Sequence, residues 1–184
     1  MIRALIIILG LVCWTGLPAS ADSGSSQAVN RLFDALKGAR DASEGNRLTS
    51  LIWQLWNHPE DPETGELMTE GRSALEKLDF RTALKRFEEV IKRSPELAEG
   101  WNKRATVYYV MGNFKASIRD IQQVLRLEPR HFGALAGLGM NYDALGDKQQ
   151  ALNAWRRALD ANPHIEDAPV RIRQLEKDLQ QQNI

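Results

Sequence analysis

The residue types that could carry chemistry are few and poorly grouped. The chain has three histidines, His58, His131 and His164. No H-E-x-x-H pattern joins them, and His131 and His164 both fall at turns, so ligand number and spacing for a metal site are missing. Ser23 to Ser26 lies in a small polar stretch with no G-x-S-x-G context. Gly133 to Met140 reads GALAGLGM, with glycines at 133, 137 and 139. A loop that cradles phosphate follows a strand and often carries a lysine. This one follows Pro129, Arg130, His131 and Phe132, with no β-rich run before it. The carboxylates are scattered as on solvated helix faces, and no pair stands out as general acid and base. No enzyme, metal or cofactor is expected.

The N-terminus reads as an export leader. Arg3 supplies the charge, Ala4 to Leu17 is nearly all apolar, and Ala19-Ser20-Ala21 is an A-x-A cleavage site. The competing reading is an uncleaved anchor, but a membrane span needs roughly 20 apolar residues. Cleavage after Ala21 is expected. Cys13 follows Val12 and precedes an apolar run, which does not suit lipidation. The mature chain then has no cysteine, so neither disulfides nor a thiol nucleophile. With 24 basic and 24 acidic residues the chain is neutral, and no block of one sign stands out, which argues against nucleic acid as a partner. Residues 22–27 are small and polar and are expected to be disordered.

One period organises the rest. Pro95, Pro129 and Pro163 are 34 residues apart, as are Ala83, Ser117 and Ala151, and Phe87, Ile121 and Trp155. Leu67, Trp101 and Leu135 keep the same step, and Gly71, Ala105 and Gly139 form a small-residue series. Leu78, Gly112 and Gly146 form a turn series, each followed by Asp79, Asn113 or Asp147. In the second unit Trp101, Ala105 and Tyr108 keep helical spacing, Gly112-Asn113 breaks it, and Ser117, Ile121 and Val124 resume it. Each unit is an antiparallel helical hairpin.

This pattern resembles the tetratricopeptide repeat family. The third unit matches through Leu135, Leu138, Gly139, Tyr142, Gly146, Ala151, Trp155, Ala158 and Pro163. The second matches through Trp101, Ala105, Tyr108, Gly112, Val124 and Pro129, and the first through Leu67, Gly71, Ala83, Phe87 and Pro95. The first unit departs at Leu78, where a turn glycine is usual, and at Ala74, where an aromatic is usual, which leaves the tightness of its turn open. The resemblance implies an all-α, right-handed solenoid of hairpins at 64–97, 98–131 and 132–165. It places Gly139 where the two helices of a hairpin cross. Gly133 and Gly137 lie on the other side of that helix. Either the helix tolerates them, or they leave room for another backbone.

Facing positions across each hairpin carry a second signal. Glu70 should meet Arg86, Arg104 should meet Asp120, and Leu138 should meet Ala154. The charges are exchanged between the first two units and absent from the third, in register.

Residues 28–63 carry two amphipathic segments and a link. Ala28, Val29, Leu32, Phe33 and Leu36 form one stripe, and Leu48, Leu51, Ile52, Leu55 and Trp56 another, with Trp53 beside it. One period back from the first unit, Phe33, Leu36 and Trp53 fall at core positions. The pair is therefore a degenerate repeat or a cap for the first unit's apolar face. In 166–184, Asp167 and Pro169 open a helix whose Ile172, Leu175 and Leu179 suit a C-terminal cap.

The resemblance implies binding of a peptide or partner protein in a concave groove lined by the first helix of each unit. The candidates are Met68, Arg72 and Leu75, then Asn102, Thr106 and Tyr109, then Gly133, Ala136, Gly137, Met140 and Asp143. The competing reading buries part of this stripe under the flanking helices. A family groove that holds a C-terminal carboxylate uses lysines and asparagines. Met68, Arg72, Lys103, Gly133 and Gly137 stand there instead, so chaperone-tail binding is not supported. The expectation is an exported, periplasmic adaptor of a Gram-negative cell, of unspecified oligomeric state and with no membrane insertion after leader cleavage. A subunit joined through its ends is the alternative, and a periplasmic enzyme the weakest.

Overall fold

The computed structural model describes residues 23–59 and 61–182; the segment expected to be an export leader, and its expected cleavage site, lie outside them. Helices follow one another as α1 (Ser23–Lys37), α2 (Ala42–Trp56), α3 (Pro62–Glu76), α4 (Phe80–Arg93), α5 (Ala98–Val110), α6 (Phe114–Leu127), α7 (Phe132–Ala144), α8 (Lys148–Ala161) and α9 (Ala168–Gln182). Among the described residues there is no strand, and no helix is long and apolar enough to cross a membrane.

The 34-residue period is visible in the caps. Asp79, Asn113 and Asp147 sit at the N-termini of α4, α6 and α8, and their side chains accept from the N–H groups of Thr82, Ala116 and Gln150. Each supplies a partner for a backbone donor that the helix itself leaves unpaired. Before each cap the chain turns through a left-handed residue: Leu78 at φ 58°, Gly112 at 74° and Gly146 at 79°. The first turn is therefore as tight as the others, although a side chain stands where the later units have glycine.

Within the hairpins, the small-residue series marks the crossing points. A Cβ on Gly71 would come 2.6 Å from the Phe87 ring, and one on Gly139 would come 2.6 Å from Trp155 Nε1. The facing pairs meet as the register requires. Arg86 Nε lies 2.7 Å from a Glu70 oxygen, and Arg104 forks onto Asp120 with bonds of 2.7 and 2.8 Å. Leu138 and Ala154 are buried in one apolar cluster with Ala105, Ile121 and Val124. The α9 helix covers α8, with Leu175 buried against Trp155, Ala151 and Leu152, as a terminal cap must.

Two expectations fail. The segment 23–27 is part of α1; the helical register of Val29 and Phe33 simply continues backwards through residues with no helix breaker but Gly24. More consequentially, the N-terminal pair does not cap the first unit. Phe33, Leu36, Ile52 and Trp56 are buried with Phe132, Leu135, Ala158 and Ala161 of the third. The first unit's cluster, built on Met68, Phe87, Val90 and Val107, includes nothing from α1 or α2. His131-Phe132 stands at the entry to the third unit, where the first has Glu63-Thr64, so only the third offers an aromatic platform for Trp53 and Trp56. Burying each large apolar side chain there contributes about 1.5–3 kcal/mol.

Candidate functional site

The first helices α3, α5 and α7 are consecutive neighbours, the layer that the repeat pattern assigns to the groove. The α2 helix lies against one end of that layer, and its contacts follow its own sequence. Gly45 faces the His164 ring, Thr49 Oγ1 accepts from Asn162 Nδ2 at 3.0 Å, Trp53 covers Gly133, and Trp56 stacks on His131. The Trp56 and His131 rings are 4.0 Å apart and tilted by only 10°. On α1, the Arg130 guanidinium lies 4.1 Å from the Phe33 ring centre and hydrogen-bonds Asn30.

Beneath α2 is a buried polar knot that joins α5 to α7. His131 caps α7: its Nδ1 accepts from the Ala134 N–H at 3.0 Å. Nε2 must then carry the hydrogen, and it donates to Glu99 Oε2 at 3.1 Å. Asn102 Nδ2 donates to the same oxygen at 2.8 Å, and Lys103 Nζ lies 2.8 Å from the other. Glu99 and His131 are both fully buried. Burial, the largest influence on Glu99, pushes its carboxyl up, but the His131 bond and the Lys103 charge together hold it below the usual range. Lys103 also stands 5.8 Å from the Trp53 ring centre. A groove lysine is thereby committed to an internal carboxylate and an indole.

The groove candidates divide accordingly. Met68 is 3% exposed and belongs to the core of the first unit, where its flexible chain fills space beside Phe87 and Val107. Asn102 is buried on Glu99. Gly133 lies under Trp53, and Ala136 is half-buried against the α1–α2 cluster. Gly137 faces α6 rather than the open groove: a Cβ there would come 3.5 Å from Ile121 Cδ1. Room at Gly133 therefore serves the chain's own α2. The other end stays open. Arg72, Thr106, Met140 and Asp143 are exposed, and Leu75 and Tyr109 are half-exposed. Tyr109 leans on Phe114, ring centres 5.7 Å apart, and with Met140, Asp143, Ala144, Trp155 and Arg171 it lines a hollow of about 230 Å³.

Spacing does not single out Glu99, His131, Trp56 or Lys103. A signal exists at one of them. Glu99 is the charged member of a series whose other members are Gly65 and Gly133, and a charge in a small-residue series asks for a local partner.

Known proteins agree with this architecture. The sequence profile of the tetratricopeptide repeat family matches residues 68–110 and 102–164. A TPR repeat-containing protein of Rhizobium etli is 36% identical over 160 residues, covering 87% of this chain and 78% of that one. The small glutamine-rich tetratricopeptide repeat-containing protein 2 of Saccharomyces cerevisiae is 25% identical over 134 residues, covering 70% of this chain and 39% of that protein. Among solved structures, the Sgt2 TPR domain of Aspergillus fumigatus superposes with a TM-score of 0.63 at 18% identity, over 67% of this chain and 83% of that one, a likeness of fold. The TPR2B domain of yeast Sti1, solved as a complex with pHsp70, gives 0.59 at 26% identity over 66% and 99%. Period, caps, crossing glycines and these matches agree: the chain belongs to the tetratricopeptide repeat family.

Proposed function

We propose that this protein is a non-enzymatic adaptor that holds a peptide or partner helix of another protein on the open half of its concave face. The observation that carries the reading is the accessible stretch formed by Arg72, Leu75, Thr106, Tyr109, Met140 and Asp143, beside the half filled by α2. A methionine and a tyrosine within it suit adaptable apolar recognition, and the polar residues around them set orientation. The Sti1 domain in its complex with pHsp70 supports a peptide or protein partner. The buried Glu99 beside Lys103 speaks against a partner's terminal carboxylate in the filled half.

The reading extends to location. Arg3, the apolar run to Leu17 and Ala19-Ser20-Ala21 support an exported protein, released in the periplasm of a Gram-negative cell and serving another envelope protein. Intact mass tests this: a mature N-terminus at Asp22 is expected, and a full-length species retained in the inner membrane contradicts it. For the groove, a photo-crosslinking residue at Tyr109 or Met140 should trap a discrete protein in cells. A crosslinker at Arg157, on the outer surface, should not give that adduct. Equal trapping from all three positions counts against a groove.

A further inference from the structure

The neutral composition hides how the array sorts its charges. Outward positions of α4 recur one period later on α6 as cations: Arg81 and Lys115, Lys85 and Arg119, Lys92 and Arg126. All six are exposed. On each helix the three follow i, i+4, i+11 spacing and so form one stripe. The repeat turns the two stripes the same way. Among the described residues none of the six forms an ion pair with a carboxylate; Arg126 is hydrogen-bonded to Gln123. Several cations elsewhere are engaged: Arg86 with Glu70, Arg93 with Asp61, Lys148 with Asp178 and Arg156 with Glu176. The one acid of α6, Asp120, is buried on Arg104. Part of the balancing charge is on α4 itself, where Glu88 is exposed and Glu89 is engaged by Arg86, and more is on α3, at Glu63, Glu66, Glu70 and Glu76.

We propose that the outer face of α4 and α6 docks an acidic, Asp- and Glu-rich segment of a partner protein. This surface is separate from the groove and does not depend on how the groove is used. Six unpaired cations on one face attract and steer an anionic partner over about a Debye length, ~8–10 Å in physiological salt. Two details select the class of anion. The exposed positions of α4 and α6 include no aromatic residue on which a base could stack. Glu88 is exposed in the first stripe between Lys85 and Lys92, with Gln122 as its counterpart in the second. A continuous array of phosphates, lipid or nucleic acid, meets repulsion there. A protein segment can place a neutral or basic residue opposite Glu88.

The test uses the purified protein and a fluorescein-labelled peptide of Asp-Glu pairs separated by Gly-Ser, followed by anisotropy. Binding is expected at low salt and should fade as salt rises. Lys85→Glu with Arg119→Glu should weaken it by about tenfold or more. Arg157→Glu with Arg173→Glu changes net charge equally off the stripes and should leave most of the affinity. If circular dichroism shows that the reversal disturbs folding, Lys85→Gln with Arg119→Gln is read instead, with a smaller loss in the same direction. No peptide binding at low salt, or equal loss in the off-stripe variant, overturns the proposal. So does tighter binding to phosphatidylglycerol vesicles or to a single-stranded oligonucleotide than to the peptide.

Discussion

The Trp53 indole occupies the space that any side chain at position 133 would need: a Cβ built on Gly133 would come within 2.5 Å of Trp53 Cη2 and 2.8 Å of Cζ2. The ring has little freedom to withdraw. Trp56 and Phe132 meet it edge-on at 5.5 and 5.2 Å, and the His131 ring is 5.5 Å away. Gly133→Ala should therefore destabilise the protein by about 1 kcal/mol or more, overpacking outweighing the helix propensity gained. Gly137→Ala should do the reverse. Its Cβ would sit 3.5 Å from Ile121 Cδ1, an ordinary contact, so up to about 1 kcal/mol should be gained. Denaturant titration of the two variants reads the difference. A stabilising Gly133→Ala would mean that α2 is not seated on α7.

The Arg104–Asp120 pair is a second point of leverage. Its side chains are 15% and 8% exposed. Arg104→Leu leaves Asp120 desolvated without its partner and should cost about 2–4 kcal/mol. Adding Asp120→Ala reproduces the third unit's Leu138 and Ala154, and should recover about 1–2 kcal/mol of that loss. Strict additivity in a double-mutant cycle would show that the two side chains do not interact.

Leu78 holds a left-handed backbone, φ 58°, while its side chain is 66% exposed. It carries the strain of an L-residue in that region and buries little in return. Leu78→Gly should raise stability by about 0.5–1 kcal/mol, because relief of strain exceeds the added entropy of the unfolded chain. A thermal melt checks it; a lowered midpoint would place Leu78 in a contact stronger than its exposure indicates.

Acid should act through Glu99. Its folded pKa lies below the ordinary 4.5, against the push of its own burial, because of His131 and Lys103. A carboxyl depressed on folding adds stability above its unfolded value and loses it as pH falls through the folded one. The contribution should therefore be complete near neutrality and disappear progressively below about 4.5. Glu99→Gln should be less stable at neutral pH and should lose less stability between about pH 5 and about pH 3. An acid limb of unchanged steepness would assign it to other carboxylates, such as Asp61 and Asp79, which hydrogen bonds also depress.

Much of this architecture is legible from residue types alone. A fixed period repeats one local environment, so the Glu70–Arg86 and Arg104–Asp120 contacts, and the crossing glycines Gly71 and Gly139, follow from hairpin register. The destination of α1 and α2 does not. Phe33, Leu36 and Ile52 announce that a face is buried, but an amphipathic stripe does not say against which unit. The decision rests on Phe132 and His131 at the start of α7, which differ from their counterparts in the other units and carry no periodic signal. Met68 illustrates the finer limit. It lies one step from the core stripe, and only the packing of α5 against α3, with Val107 beside it, decides that it turns inward.

The most direct test of the adaptor account is amide chemical-shift mapping of the protein as the segment trapped at Tyr109 or Met140 is titrated in. The account predicts shifts clustered at Arg72, Thr106, Tyr109, Met140 and Asp143, the Trp53 indole N–H unmoved, and affinity reduced by about tenfold in Tyr109→Ala. Shifts concentrated on α1 and α2, release of Trp53 from Gly133, or full affinity in folded Tyr109→Ala would contradict it.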